Sequence, residues 1–304
     1  MDYILYHANC QDGWCAAYIA KKKWPDATLL PLSYGLTLEK LDSVFRTVLQ
    51  KDVIMVDYSF PTREAMEELE RVTKSLRVFD HHISKKEILA GFNFAVFDNA
   101  RSGAGLAWDY LFGKNSTPND TDRPFVYMNR PWWVNYTEDQ DLWKWQLPNG
   151  RAINAYLMVQ PRTIEAWQKI EQIQASEALQ LGVGAQARNE FDVKALLNTV
   201  QDGVFHGHRT GVVNTSVAVS EVGEAIYNSG YEIALSWYER ADGQVSFGLR
   251  SIVADVGSIA KQYGGGGHKA SAGFETSVQK AREIIDSVLG RKEVIDYGSS
   301  NRCC

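Results

Sequence analysis

Leu76-Arg77-Val78-Phe79-Asp80-His81-His82 is a short β-prone run that stops at one carboxylate and two adjacent imidazoles. Two other runs end the same way: Asp52-Val53-Ile54-Met55-Val56 stops at Asp57, and Tyr3-Ile4-Leu5-Tyr6 stops at His7. Short apolar runs of this kind read as buried strands. Helical patterns fill the spaces between and beyond them. Residues 13–23 place small and apolar side chains on one side, residues 38–49 follow a capping Thr37, and residues 62–73 pass from acidic to basic. A further strand is expected at residues 28–32. Strands alternating with helices predict a parallel, helix-covered sheet, and ligands collect beyond the carboxyl ends of such strands. His7, Asp57 and Asp80 each stand just past such an end.

The rest of the chain predicts a second domain. Arg101-Ser102-Gly103 opens a helical run to residue 111, residues 125–145 are dense in aromatics, and residues 164–197 are helical in pattern and rich in Gln, Ala and Glu. Strands are expected at 211–219, 233–238 and 245–249, with helices at 222–229, 256–261 and 280–289. The expected organisation is an α/β chain. A doubly wound, mostly parallel sheet domain covers 1–160 and a helical connector 161–203. A smaller α/β domain with a glycine-rich loop covers 204–298, and a loose tail 299–304.

Composition narrows the function classes. The 304 residues are 45% hydrophobic and 23% charged, ordinary for a globular protein. A net charge of −5 argues against binding long nucleic acid, which needs a positive stripe. It leaves room for a short anionic substrate. No apolar run approaches the roughly 18–20 residues that span a bilayer, and the acidic start is no secretory signal. The 4 cysteines, Cys10, Cys15, Cys303 and Cys304, make no disulfide framework, so a reducing cytoplasm is expected.

Only 6 histidines occur, and four fall in three punctuated segments that also hold the candidate chemistry. His7, Cys10 and Asp12 share one loop, offering imidazole, thiol and carboxylate to a metal; alternatively Asp12 caps a helix beginning near Gly13. Asp57 alone could be a strand-end Asx turn. Asp80-His81-His82 is more specific, because paired histidines after a buried strand have no common structural purpose. Asp141 is favoured as a metal ligand, whereas Asp139 reads as part of an acidic surface patch. The run Tyr263-Gly264-Gly265-Gly266-Gly267-His268-Lys269 strips side chains from the backbone, so its amides could approach an anion. Arg250, after a strand, is balanced between an anion contact and an ordinary surface arginine.

Together these segments resemble the DHH phosphoesterase family with its DHH-associated C-terminal domain, over nearly the whole chain. Asp80-His81-His82 looks like the naming motif, and residues 263–268 like the glycine signature. The resemblance implies that His7 and Asp57 hold one divalent metal, and Asp12, Asp57, His81 and Asp141 a second. Manganese comes first, with magnesium or another transition metal as alternatives. His82 and His268 would face the phosphate, Arg250 and Gly265, Gly266 and Gly267 would hold the substrate, and Asp80 would orient a histidine. Cys10 departs from the usual first motif, which has two aspartates separated by one residue. A thiolate there would soften the site, or leave it weaker if Cys10 does not bind.

The chemistry implied is two-metal hydrolysis at phosphorus, with the ions roughly 3.5–4 Å apart. Short oligonucleotides are the first choice of substrate. 3′-Phosphoadenosine 5′-phosphate, cyclic dinucleotides or their linear products, and polyphosphate are the alternatives. Trp14, Tyr58 and the tryptophans near Asp141 could stack on bases, although most tryptophans belong in cores. A nucleotide-binding module disabled by Cys10 is the competing class. No long nucleic acid or membrane partner is expected, and a homodimer is allowed.

Overall fold

The computed structural model describes residues 1–33, 35–113 and 130–291. The tail 299–304 with Cys303 and Cys304, residues 292–298 of the expected second domain, and residues 125–129 of the aromatic stretch lie outside the described residues. Two compact units divide the chain, Met1–Asn189 and Glu190–Cys304.

The first unit runs β1 (Tyr3–His7), α1 (Gln11–Lys23), β2 (Thr28–Leu32), α2 (Leu38–Thr47), β3 (Asp52–Val56), α3 (Arg63–Val72) and β4 (Ser75–Asp80). It continues through α4 (Lys86–Leu89), β5 (Ala95–Phe97), α5 (Gly103–Phe112), α6 (Trp132–Asp141), α7 (Gly150–Met158) and α8 (Ile164–Ile170). Helix α9 (Ala175–Leu197) carries the division between the units. The sheet order is β2-β1-β3-β4-β5, and every pairing is parallel. Successive strand residues serve opposite faces. Ile4, Ile54, Val56 and Phe79 pack with α1, α5 and α6, while Leu5, Val53, Met55 and Val78 pack with α2 and α3. Each such buried apolar side chain contributes about 1.5–3 kcal/mol. This is a doubly wound sheet whose order reverses between β1 and β3, the place where such folds open a crevice.

The second unit continues with β6 (Gln201–Phe205), β7 (His208–Asn214), α10 (Val219–Asn228), β8 (Ile233–Glu239), β9 (Gln244–Arg250), α11 (Val256–Gln262), β10 (Gly266–Gly267), β11 (Ser271–Ser277) and α12 (Val278–Val288). Its sheet order is β10-β11-β9-β8-β7-β6. The β7–β8 pair, bridged by α10, is parallel and the other pairs are antiparallel.

Several boundaries differ from expectation. Helix α1 begins at Gln11, so Asp12 lies in its first turn and does not cap it. The strand expected at 211–219 ends at Asn214, because Thr215 turns the chain through Val217 and Ala218 is left-handed. Strands β5, β6, β10 and β11 are unexpected: β5 and β10 are only three and two residues, and β6 and β11 are largely polar.

Candidate metal centre

The centre forms where β1, β3 and β4 deliver their last residues past one edge of the sheet. Asp57 follows β3 and is almost fully buried, with a backbone φ of +54°. A non-glycine residue in that region marks strain held by its surroundings. The conformation sets the carboxylate among three imidazoles. His7 Nδ1 stands 3.4 Å from Oδ2, His81 Nε2 3.1 Å from Oδ1, and His82 Nδ1 3.9 Å from Oδ1. It does not make an Asx turn: neither carboxylate oxygen accepts a hydrogen bond of good geometry, although both are buried.

Asp12 reaches this centre from α1 and has a second task. Its carboxylate accepts the Gly103 amide at 2.6 Å and the Ala104 amide at 3.0 Å, satisfying the first amides of α5, whose start is buried, from another helix. Its Oδ2 is also 3.8 Å from His81 Nε2. Asp141, the last residue of α6, completes the cluster 3.6 Å from the same nitrogen, and its Oδ2 is likewise buried without a hydrogen bond. Gly13 sits inside α1, where its missing side chain makes room for the His7 carbonyl and for Asp57. Gly103 does the same between Asp57 and Asp12.

Asp80 is fully buried and hydrogen-bonded on all sides. Its Oδ1 accepts the amides of His81 at 2.7 Å and His82 at 3.0 Å and lies 2.7 Å from His82 Nδ1. Its Oδ2 accepts Ser59 Oγ at 2.5 Å. Burial would raise its pKa, but His82, the Ser59 hydroxyl and His81 hold it below the ordinary aspartate value.

The electrostatics of the cluster describe a place short of positive charge. Burial, then Asp141 and Asp57, push the Asp12 pKa well above the usual range. Burial also raises Asp141, with His81 opposing. Burial and then Asp57, Asp141 and Asp12 push the Cys10 thiol up. Burial disfavours the His81 cation, yet Asp141, Asp57 and Asp12 outweigh it and hold its pKa well above the histidine value. Burial would also raise Asp57, but His7, His81 and His82 keep it far below.

These residues fit divalent cations. Ligand atoms of His7, Cys10 and Asp57 lie within 4.8 Å of one another, as do those of Asp12, Asp57 and His81, so Asp57 belongs to both groups. Orphaned buried carboxylate oxygens beside imidazoles are a hard, oxygen-and-nitrogen donor set.

Sequence reasoning misplaced or missed several residues. Asp139 is not part of a surface patch: it is buried, and its carboxylate accepts the amides of Gln146 at 2.9 Å and Leu147 at 3.2 Å. Glu138 is buried too, taking Arg101, Arg130 and the Ser102 amide. Ser59 carried no signal beyond its place after Asp57. Gln11 Nε2 reaches Asn154 Oδ1 on α7 at 3.4 Å.

The remaining expected residues, Arg250 and Gly265, Gly266, Gly267 and His268, belong to the second unit. Arg250 ends β9 and is in register with Ser271 of β11, beside the turn after the glycines. Its guanidinium donates to the Leu249 carbonyl and Ser220 Oγ, both at 2.9 Å. Burial lowers its pKa to about 10. The glycine run is not an open strip of amides. Gly264, Gly265 and His268 donate to Lys261, Ala260 and Ser271, and Gly266–Gly267 pairs as β10 with β11. A side chain on Gly265 would strike Phe274. The glycines let two strands and α11 approach closely.

Residues 212–291 match the model of the DHHA1 domain. An uncharacterised protein of Acanthamoeba polyphaga mimivirus is 23% identical over 339 aligned residues, spanning 100% of this chain and 76% of the relative. Among solved structures, an exopolyphosphatase-related protein of Bacteroides fragilis is similar with a TM-score of 0.53 and 10% identity, covering 95% of this chain and 92% of that one. RecJ of Thermus thermophilus, solved in complex with Mn2+, is similar with a TM-score of 0.53 and 15% identity, covering 95% of this chain and 51% of that one. Residues 212–291 thus carry the DHHA1 domain, and the chain as a whole shares its fold with these two solved structures.

Proposed function

We propose that this chain is a metal-dependent phosphoesterase that hydrolyses short oligonucleotides or small nucleotides in the cytoplasm. The observation that carries the reading is Asp57, a buried carboxylate in a left-handed backbone, whose oxygens face imidazoles without a hydrogen bond of good geometry and which belongs to three groups of ligand atoms. His7 and Asp57, with Cys10 beside them, would hold one ion. Asp12, Asp57, His81 and Asp141 would hold another. Manganese suits this donor set and is the ion held by the similar RecJ structure; magnesium is the alternative. When bound, such ions polarise a phosphoryl oxygen and acidify water.

The chain's own residues supply the rest. Asp80 anchors His82 through Nδ1, which makes Nε2 the nitrogen to meet a phosphoryl oxygen. His82 itself, with Ser59 and His81, keeps Asp80 ionised for that task, and two backbone amides fix its place. Asp12 ties the start of α5 to the centre. In the second unit, Arg250 and His268 would contribute to holding an anionic substrate, while the glycines serve the close packing beside them.

The test is a manganese-dependent hydrolysis screen on short oligonucleotides, 3′-phosphoadenosine 5′-phosphate, cyclic dinucleotides and polyphosphate, with metal content measured in parallel. Turnover that falls about 10²–10³-fold in His82→Ala and is abolished in Asp57→Asn supports the reading. Nucleotide binding without turnover under any divalent metal would replace it with a binding module, the outcome that Cys10 in the first ligand group would explain.

A further inference from the structure

The loop that follows Asp141 is built unlike the rest of the chain. Trp143 and Trp145 both have left-handed backbones, at φ of +52° and +50°, and Asn149 follows at +57°. A bulky residue there is a true outlier. Among the described residues eight non-glycine positions have positive φ; Asn9 and Asp57 lie at the metal centre and these three lie just beyond it. Strained positions of this kind cluster at active sites and ligand clamps. Asp139 holds the loop in place through the amides of Gln146 and Leu147.

The strained backbone presents two indoles with a cation against them. The Trp143 and Trp145 rings meet edge to face at 5.1 Å, and both are half-buried. The Arg151 guanidinium lies 3.9 Å from the centre of the Trp145 ring and 5.2 Å from that of Trp143. By contrast Trp14 and Tyr58, the other stacking candidates, are only 4% and 1% exposed and belong to the core. Two links place the pair beside the metal centre. Trp143 is two residues from Asp141, so their Cα atoms are at most about 7.6 Å apart. One turn along α7 from Arg151, Asn154 accepts from Gln11, the residue between Cys10 and Asp12.

We propose that Trp143, Trp145 and Arg151 form a stacking platform for a base of the substrate, selecting nucleotides over base-free phosphates. An indole face accepts any base, and an adjacent guanidinium adds cation–π and phosphate attraction. The assignment rests on the phosphoesterase reading for what the platform serves, but the binding it describes can be measured without turnover.

The experiment compares two ligands on the full chain with Mn2+: a 5′-phosphorylated dinucleotide with a hydrolysis-resistant methylphosphonate link, and its abasic counterpart. Trp143→Ala and Trp145→Ala should weaken the first roughly 5- to 150-fold, the range for losing one base–aromatic stack, and leave the second within about twofold. Phenylalanine at either position keeps a ring and should bind within about threefold of the wild type. Leucine keeps bulk without a ring and should behave as alanine does, so the comparison survives if alanine variants misfold. Equal weakening of both ligands, or none of either, overturns the platform. Absence of turnover on all substrates would instead sink the phosphoesterase reading and leave the binding result standing.

Discussion

Asp12 and Asp57 show how much one side chain can be asked to do. The strand-end positions of His7, Asp57, Asp80, His81 and His82 were legible in the sequence, because polar residues closing apolar runs stand out. The work of Asp139 and Glu138 was not: their partners are a loop amide pair and two arginines, set only by the folded chain. Gly103 is a sharp test at this scale. An added methyl there would collide with Asp57 and approach Asp12 to 2.9 Å. Gly103→Ala should destabilise the protein by about 1–3 kcal/mol, read from the urea midpoint, and reduce bound metal. Asp80→Asn should leave the metal count unchanged while cutting kcat about 10- to 100-fold, since it disturbs the tautomer of His82 and no expected ligand.

At the scale of elements, the start of α5 and the end of α6 are locked by buried charge. Arg130 bridges Asp109 at 2.6 Å and Glu138 at 3.0 Å, and Arg101 joins the same two acids. Glu138→Ala leaves two largely buried guanidinium groups to share Asp109 alone and should cost about 3–5 kcal/mol in a denaturation curve. The strands between these helices gave a mixed legibility. Long apolar ones were plain, but β10 is a pair of glycines and β6 alternates without a hydrophobic face, so neither has a pattern to read. The strand ends also set a pH response. His81 has a folded pKa raised above its unfolded value of about 6.5. Its contribution to the stability of the metal-free protein is therefore complete below that pH and is lost as pH climbs through the raised value. Thermal melting in EDTA should fall over this window. Saturating Mn2+ should reverse the trend, because the metal competes with that proton.

Over the whole molecule, two cores divide the labour. The first unit surrounds its sheet on both faces, and the second has its own buried clusters around Leu235 and Val213. Since each unit closes its own core, a fragment of residues 190–291 should fold alone with a cooperative thermal transition by circular dichroism; a featureless melt would contradict this. The order β2-β1-β3-β4-β5 was expected only as a class, a parallel wound sheet. Which strands become neighbours is a matter of crossover direction, and local patterns do not record it.

The double duty of Asp12 has an evolutionary corollary. A descendant of this protein that abandoned catalysis could discard Asp141 at little expense to its architecture, since its buried Oδ2 accepts no hydrogen bond among the described residues. Asp12 could not be shed so easily, because it caps α5 at Gly103 and Ala104. Inactive descendants should therefore lose the acid that closes α6 first and keep the one in α1 longest. Persistence of Asp12 in a sequence would testify to an intact scaffold, while Asp141 would testify to a working centre.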